Sequence, residues 1–227
     1  MAVSPDNTAN ITGTSVTTLT TPSFTITSAA DRAAAVCFSG MTASASGHTS
    51  SCGGQSGAEV SGTPRTQGTL VESVIHRVIN PASGTQTASM TWTGAVQANV
   101  GVITASGVDQ TTPMNNGTGA NGAATPSSLS VTTAAGDLTV AVLINDTAGT
   151  APSAPSQTSQ WATINPSSGG SRGGGGAGPD SHSWTHDNTD WCMSGANFVQ
   201  STGAAAPLVS MPVAGQRPAA FAPGLAR

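Results

Sequence analysis

The chain has 227 residues, 7% of them charged, and a formal net charge of -4. An average soluble protein carries roughly 25% charged residues. Lys and Tyr are absent and all six basic residues are Arg, which excludes Schiff-base chemistry and Lys-dependent phosphate binding and gives no electrostatic draw toward nucleic acid or anionic lipid.

Weak net charge combined with abundant Val, Ile and Thr reads as a folded, β-rich chain rather than a disordered one. The first residues lack a basic segment and an apolar core, so no secretory signal is expected. The longest apolar run, residues 138–144, is too short to span a bilayer. Residues 1–13 read as an irregular N-terminal arm. Residues 16–20 and 24–27 alternate apolar and hydroxyl side chains on either side of Pro22 and read as strands. Residues 33–38 form the next expected strand. Residues 40–69 are small and polar and read as a long excursion with a short hairpin.

Residues 70–79 fit a helical stripe as well as a buried strand, and their β-branched content favours the strand. A turn at Pro81-Ala82-Ser83-Gly84 precedes two expected strands, residues 86–92 and 96–104, joined through Gly94. Residues 114–126 read as a Gly/Asn loop. Strands at 129–133 and 138–144 flank the turn Ala134-Ala135-Gly136-Asp137, and the second is apolar on both faces, as in a central strand. After a Pro/Ser/Thr/Ala loop, a short strand is expected at 161–164. Residues 168–179 contain Gly173-Gly174-Gly175-Gly176 and read as a flexible tip. The last strands fall at 181–185 and 191–199. Beyond Gln200 the composition turns to Ala and Pro, which suits an extended arm over residues 201–227 and no core.

About ten short strands with turns between them and no convincing helix predict an all-β fold. The expected form is an antiparallel β-sandwich of jelly-roll type spanning residues 14–200, with extended N- and C-terminal arms.

Several strings then align in order: Asp31-Arg32, Val78-Ile79-Asn80-Pro81-Ala82-Ser83-Gly84-Thr85, Ala105-Ser106-Gly107-Val108-Asp109-Gln110-Thr111-Thr112-Pro113, Ala134-Ala135-Gly136-Asp137-Leu138, Gln160-Trp161, and Ser183-Trp184-Thr185 leading to Trp191. This set resembles a recurrent β-sandwich domain of phage virion proteins and bacterial surface proteins. The chain departs from that pattern in having Ala105 where Phe is frequent and in a Cys-containing insertion between Phe38 and Leu70. The resemblance implies a non-enzymatic structural role with no catalytic residue to carry over. The implied protein is a capsid decoration (cement) protein or head-fibre protein located in the virion, partnered by the major capsid protein or other virion subunits, with a homotrimer favoured. The alternative is a carbohydrate-binding or adhesion module of a phage fibre or bacterial surface protein.

The residues that could carry chemistry each have a structural reading beside the functional one. His182, His186, Asp187 and Asp190 have the ligand types of a metal site, but Trp184 lies between the two His on the same strand face and Asp187-Asn188-Thr189-Asp190 reads as a turn. Asn145-Asp146-Thr147 and that same turn offer oxygen ligands for Ca²⁺ without EF-hand spacing. The Gly173–Gly176 run matches no phosphate-binding loop. No catalytic, cofactor-binding or metal residue is therefore assigned, and no cofactor is expected. Trp161 and Trp184 are the candidate exposed pair for stacking on a glycan, with Trp92 and Trp191 expected in the core. Cys37 and Cys52 could close a short loop, although the odd total of three cysteines favours free thiols. Asp109 is expected to fix the turn after residues 96–104 rather than to catalyse.

Overall fold

The computed structural model describes residues 1–41, 45–147, 150–153, 157–187 and 189–202. The strands are β1 (Ser4–Thr20), β2 (Phe24–Ile26), β3 (Ala33–Met41), β4 (Ser46–Cys52), β5 (Gln55–Ser56), β6 (Ala58–Glu59), β7 (Arg65–Gln67), β8 (Val71–Ile79) and β9 (Gly84–Gln86). They continue with β10 (Ala88–Ser106), β11 (Met114–Gly122), β12 (Ser127–Thr133), β13 (Leu138–Asn145), β14 (Thr158–Ile164), β15 (Ser167–Arg172), β16 (Gly178–Trp184) and β17 (Trp191–Phe198). No helix occurs among the described residues. An eight-stranded sheet runs β5-β4-β10-β3-β8-β6, with β1 beside β10 and β7 beside β8. A five-stranded sheet runs β11-β17-β13-β15-β14, and two small pairs, β12–β16 and β2–β9, complete the set. The strands that pair are antiparallel, so the chain is an all-β protein of stacked antiparallel sheets.

Long β10 sets the layering. Its residues 97–105 pair with β3, and its residues 88–93 pair with β4. Between these stretches lies Gly94, at φ +89, a conformation open to glycine. The β1–β10 register shifts at the same place, around Val16. The sheet therefore bends, and Met90 and Trp92 from one half of β10 share an apolar cluster with Ala98, Val100 and Val102 from the other. The opposite face of β3 and β8 presents Ala33, Ala35, Cys37 and Ile75 to Val140, Val142, Ala196 and Phe198 of the five-stranded sheet. A third cluster, including Leu129, Val131, Leu143, Trp184 and Met193, seats β12–β16 on the outer side of that sheet. Strand β3 faces a core on both sides, which is why Ala33–Phe38 is a continuous apolar run.

Four expectations are corrected. Residues 4–13 are part of β1, not an irregular arm; as an edge strand it is largely solvated and shows little apolar periodicity. Residues 86–92 and 96–104 do not make two strands, because β10 runs on through Gly94. Residues 114–122 are β11, paired with β17. Residues 167–172 are β15, an inner and almost wholly buried strand, and only the residues after it lack strand structure. The hairpin expected within 40–69 is present as β4–β5, and the ambiguous 70–79 segment is strand β8. The C-terminal arm from residue 203 onward lies outside the described residues.

Strand β15, Ser-Ser-Gly-Gly-Ser-Arg, has none of the usual strand residues because two indoles lie flat on it. A Cβ at Gly170 would sit 2.2 Å from Trp161, and one at Gly169 would sit 2.6 Å from Trp184. On the facing sheet a Cβ at Gly101 would come within 2.3 Å of the same Trp161 ring. Trp161 is thus held between a glycine of each sheet. Gly170→Ala should force the ring or the sheets apart and cost about 1–3 kcal/mol. A lowered urea midpoint, followed by tryptophan fluorescence, checks this; an unchanged midpoint would show that the contact yields freely.

Candidate functional site

The residues 105–113 string forms a corner where four segments meet. Gly107, at φ +71, turns the chain out of β10. Asp109 Oδ1 then accepts from the backbone N–H groups of Thr111 (2.8 Å) and Thr112 (2.7 Å), the turn-fixing role expected of it. Val108 N donates to Asp31 O at 2.9 Å, and Gln110 Nε2 donates to Arg32 O at 3.2 Å. Ser201 N donates to Gly107 O, and the Met1 amine donates to Ser201 O. Asp137 does similar work nearby: it accepts from Ala134 N, from Asn197 Nδ2 at 2.7 Å and from Gln200 N at 2.8 Å. Both carboxylates are held by donors from the fold itself. Residues 1 and 201 leave the sandwich at this one pole.

The histidines divide into two buried groups. His182 lies between the five-stranded sheet and β16. The Thr139 hydroxyl donates to the Asp180 carboxylate, so at 3.0 Å it accepts from His182 Nε2. His182 Nδ1 is then left to accept from the Ser171 hydroxyl at 2.8 Å. Burial pulls the imidazole down to about 4, with Asp180 opposing, so it is neutral at physiological pH. The chain Ser171–His182–Thr139–Asp180 has the residue types of a nucleophile relay, but Ser171 is fully buried and closed to a substrate. His186 sits beyond the end of β16 and donates from Nδ1 to Asp187 O at 2.6 Å. The structure does not bring His182 and His186 together. Among the described residues no three His, Cys, Asp or Glu side chains are arranged to hold a metal ion.

The second group was not singled out from the sequence. His48 of β4 lies under Phe38, ring centroids 4.7 Å apart, with Nε2 3.8 Å from Glu72 Oε1. His76, two turns of the pleat along β8 from Glu72, bonds the Ser50 hydroxyl through Nδ1 at 3.1 Å. The signal available in the sequence was the i, i+4 spacing of Glu72 and His76, which puts both on one strand face; nothing local placed His48 against them. Burial, assisted by Glu59, pushes Glu72 up to about 7. Burial, assisted by His48, pulls His76 down to about 4, and burial also lowers His48. Burial thus works against the charged form of both His48 and Glu72, the two halves of this contact. Among the described residues His48 Nε2, Glu72 Oε2 and His76 Nε2 have no hydrogen-bond partner.

The two loops that carry oxygen ligands without EF-hand spacing do come together. Asp146 N donates to Asp190 O at 2.8 Å, and burial together with the Asp190 charge raises the Asp146 carboxyl. Asp190 Oδ1 is taken by Gln67 Nε2 at 3.2 Å, and Asn145 Oδ1 accepts from Thr147 N, so these residues act as turn formers. Asn188 lies outside the described residues.

The expected exposed tryptophan pair is corrected. Trp184 is 0% and Trp161 6% exposed, and Trp92 and Trp191 are buried as well. The glycines beneath the rings let them lie inside the layers, where sequence periodicity alone could not place them. Among the described residues no tryptophan is presented as a platform for a sugar. Cys37, Cys52 and Cys192 are free and buried, and Cys37 and Cys52 belong to clusters on opposite faces of the bent sheet, which rules out the loop-closing bridge.

What the fold leaves open is backbone. Strand β1 runs for 17 residues and, among the described residues, pairs with β10 alone. Its only charged side chain is Asp6. Strand β14 is the edge of the other sheet on the same flank and touches β1. Long edges are commonly blocked by Lys, Pro or bulges; beyond Pro5 and its bulges, β1 offers a row of Thr and Asn. No protein-family model matches the chain, and no curated protein sequence matches it.

The buried Glu72–His76 pair predicts opposite pH slopes. Glu72, raised in the fold, gives stability that is full below about 4.5 and is lost as pH rises through about 7. His76, depressed in the fold, gives stability that is full above about 6.5 and is lost as pH falls through about 4. Glu72→Gln is expected to recover stability above pH 7 relative to the parent, on the order of 1–2 kcal/mol once solvent screening is allowed for. Urea midpoints measured from pH 4 to 9 check this, and parallel profiles for parent and variant would contradict it.

Proposed function

We propose that this chain is a non-enzymatic virion structural protein, a capsid decoration (cement) subunit of jelly-roll kind that binds a phage shell through strand addition at β1 and through its C-terminal arm. The observation that carries the reading is the outer side of β1, a strand of 17 residues with one charge that pairs, among the described residues, with β10 alone. Such an edge is a template for a strand from a neighbour, with main-chain hydrogen bonds supplying affinity. A weakly charged surface without Lys is also poor at keeping a monomer apart from its fellows. The titratable groups support the same view, because Asp109, Asp137, His182 and Asp180 are engaged in holding turns and layers. The phage setting and the trimeric state rest on the resemblance of residues 14–200 to virion β-sandwich domains. With residues 1 and 201 at one pole, the C-terminal arm would start beside the beginning of the docking edge.

Two variants test the reading. Thr12→Lys with Thr14→Lys puts charge on exposed positions of β1 without touching a core. It should keep the thermal midpoint within a few degrees yet weaken co-sedimentation with shells stripped of this protein by about tenfold or more. Truncation after Gln200 should weaken it as well. Parent-like binding by both variants would remove the cement reading.

A further inference from the structure

A cleft of about 230 Å³ opens on this same flank, between the edge of the eight-stranded sheet and that of the five-stranded sheet. Asp6, Asn7, Thr8, Thr104, Gln160 and Arg172 line it, with Pro5 and Ile103 as its apolar wall. Three observations set it apart from an ordinary surface dent. First, the β1–β10 register slips by one residue between Pro5 and Thr8, a bulge that opens the edge beside the cleft. Second, the two charges facing it are unequally occupied. The Asp6 carboxylate accepts from Thr27 N at 2.9 Å, from the Thr27 hydroxyl and from the Thr104 hydroxyl at 3.2 Å. Arg172 has no hydrogen bond or ion pair through its guanidinium among the described residues, while the comparable Arg32 bonds Pro81 O, Ala29 O and Asn80 Oδ1. Third, the Thr8 hydroxyl on the cleft wall is buried with no partner among the described residues.

We infer that the cleft takes an acidic side chain, Asp or Glu, from an extended segment laid along β1, its carboxylate bound by Arg172. This rests on the reading of β1 as the docking edge and names the chemistry of the strand that docks there. The volume lies below the roughly 300–1,000 Å³ of small-molecule sites and suits one side chain. A guanidinium presents a planar fork matched to a carboxylate, which an ammonium does not. Asp6, bonded twice by Thr27 and sharing the Thr104 hydroxyl with Asn7 O, fixes the bulge and leaves Arg172 as the charge on the cleft without a protein partner among the described residues. Gln160 uses Nε2 on Thr158 O at 3.2 Å and keeps its second amide hydrogen for the ligand. An incoming strand would thus gain register as well as affinity: its acidic residue must fall opposite the Pro5–Thr8 bulge.

Two synthetic heptapeptides of alternating Thr and Val, one with a central Glu and one with a central Gln, test this by fluorescence polarisation against the full chain. The Glu peptide is expected to bind about fivefold tighter, a preference that high salt reduces. Arg172→Gln should erase the preference and Arg172→Lys should keep part of it. Equal binding of the two peptides to the parent, or no binding of either, overturns the inference. The shell-binding assay separates it from the reading beneath: loss of binding with Thr12→Lys and Thr14→Lys but none with Arg172→Gln leaves the edge in place and removes the acidic anchor. Parent-like shell binding by the edge variant removes the edge itself.

Discussion

Backbone pairing along both sides of β10 is the constraint on which the other layers depend. One side of the strand carries β1 for nearly its whole length, and the other changes partner from β4 to β3 around Gly94. That change of partner bends the sheet, and the bend encloses the first apolar cluster. Where β10 ends, the Gly107–Pro113 corner fastens it to the start of β3 and to the chain leaving β17. The facing sheet is positioned by the same strand through Gly101, whose missing side chain admits Trp161. A side chain at Gly101 would therefore act on both sheets at once.

The sheets are joined by more than hydrocarbon. Ser39 and Ser168 meet across the interface at 2.7 Å, and Ser73 and Ser194 meet at 2.8 Å. These pairs satisfy buried hydroxyls with one another and tie β3 and β8 to β15 and β17 in a fixed register. In a chain with so few long apolar side chains, small residues bring the sheets close and hydroxyl pairs supply direction. The cost falls on groups that have no partner among the described residues, including both polar side-chain atoms of Asn99 and the indole nitrogens of Trp92, Trp161 and Trp184.

Much of the architecture was readable from residue pattern, and the failures have physical causes. Strand β13 is apolar on both faces and β12 alternates, so both stood out. The Asp109 turn was legible because Asp, Gly and Pro each impose a local geometry. The first part of β1, before residue 16, and strands β11 and β15 were hidden. The first two are edges with little burial to pattern them, and β15 is a seat for indoles that are distant in sequence. Trp161 and Trp184 were misplaced for that reason, whereas Trp92 and Trp191 lie in the core as expected: an indole's burial is decided by what lies beneath it, here glycines as far away as residue 101. The His48–Glu72–His76 group was equally out of reach, because β4 and β8 meet only through the bend. Arg172 could be seen as a lone cation, but its lack of a partner is a property of the folded flank.

The three thiols are spread through the layers in a way that makes them internal clocks. Cys52 lies in the cluster enclosed by the bend, Cys37 between the two large sheets, and Cys192 with Val71 and Ile144 in a small cluster of its own. Burial pushes each up to about 12, so none reacts as a thiolate while its layer is closed. Alkylation at each sulfur therefore waits on the opening of a different seam. The order in which the three become modified reports which seam of the sandwich breathes first, without any label being added to the chain.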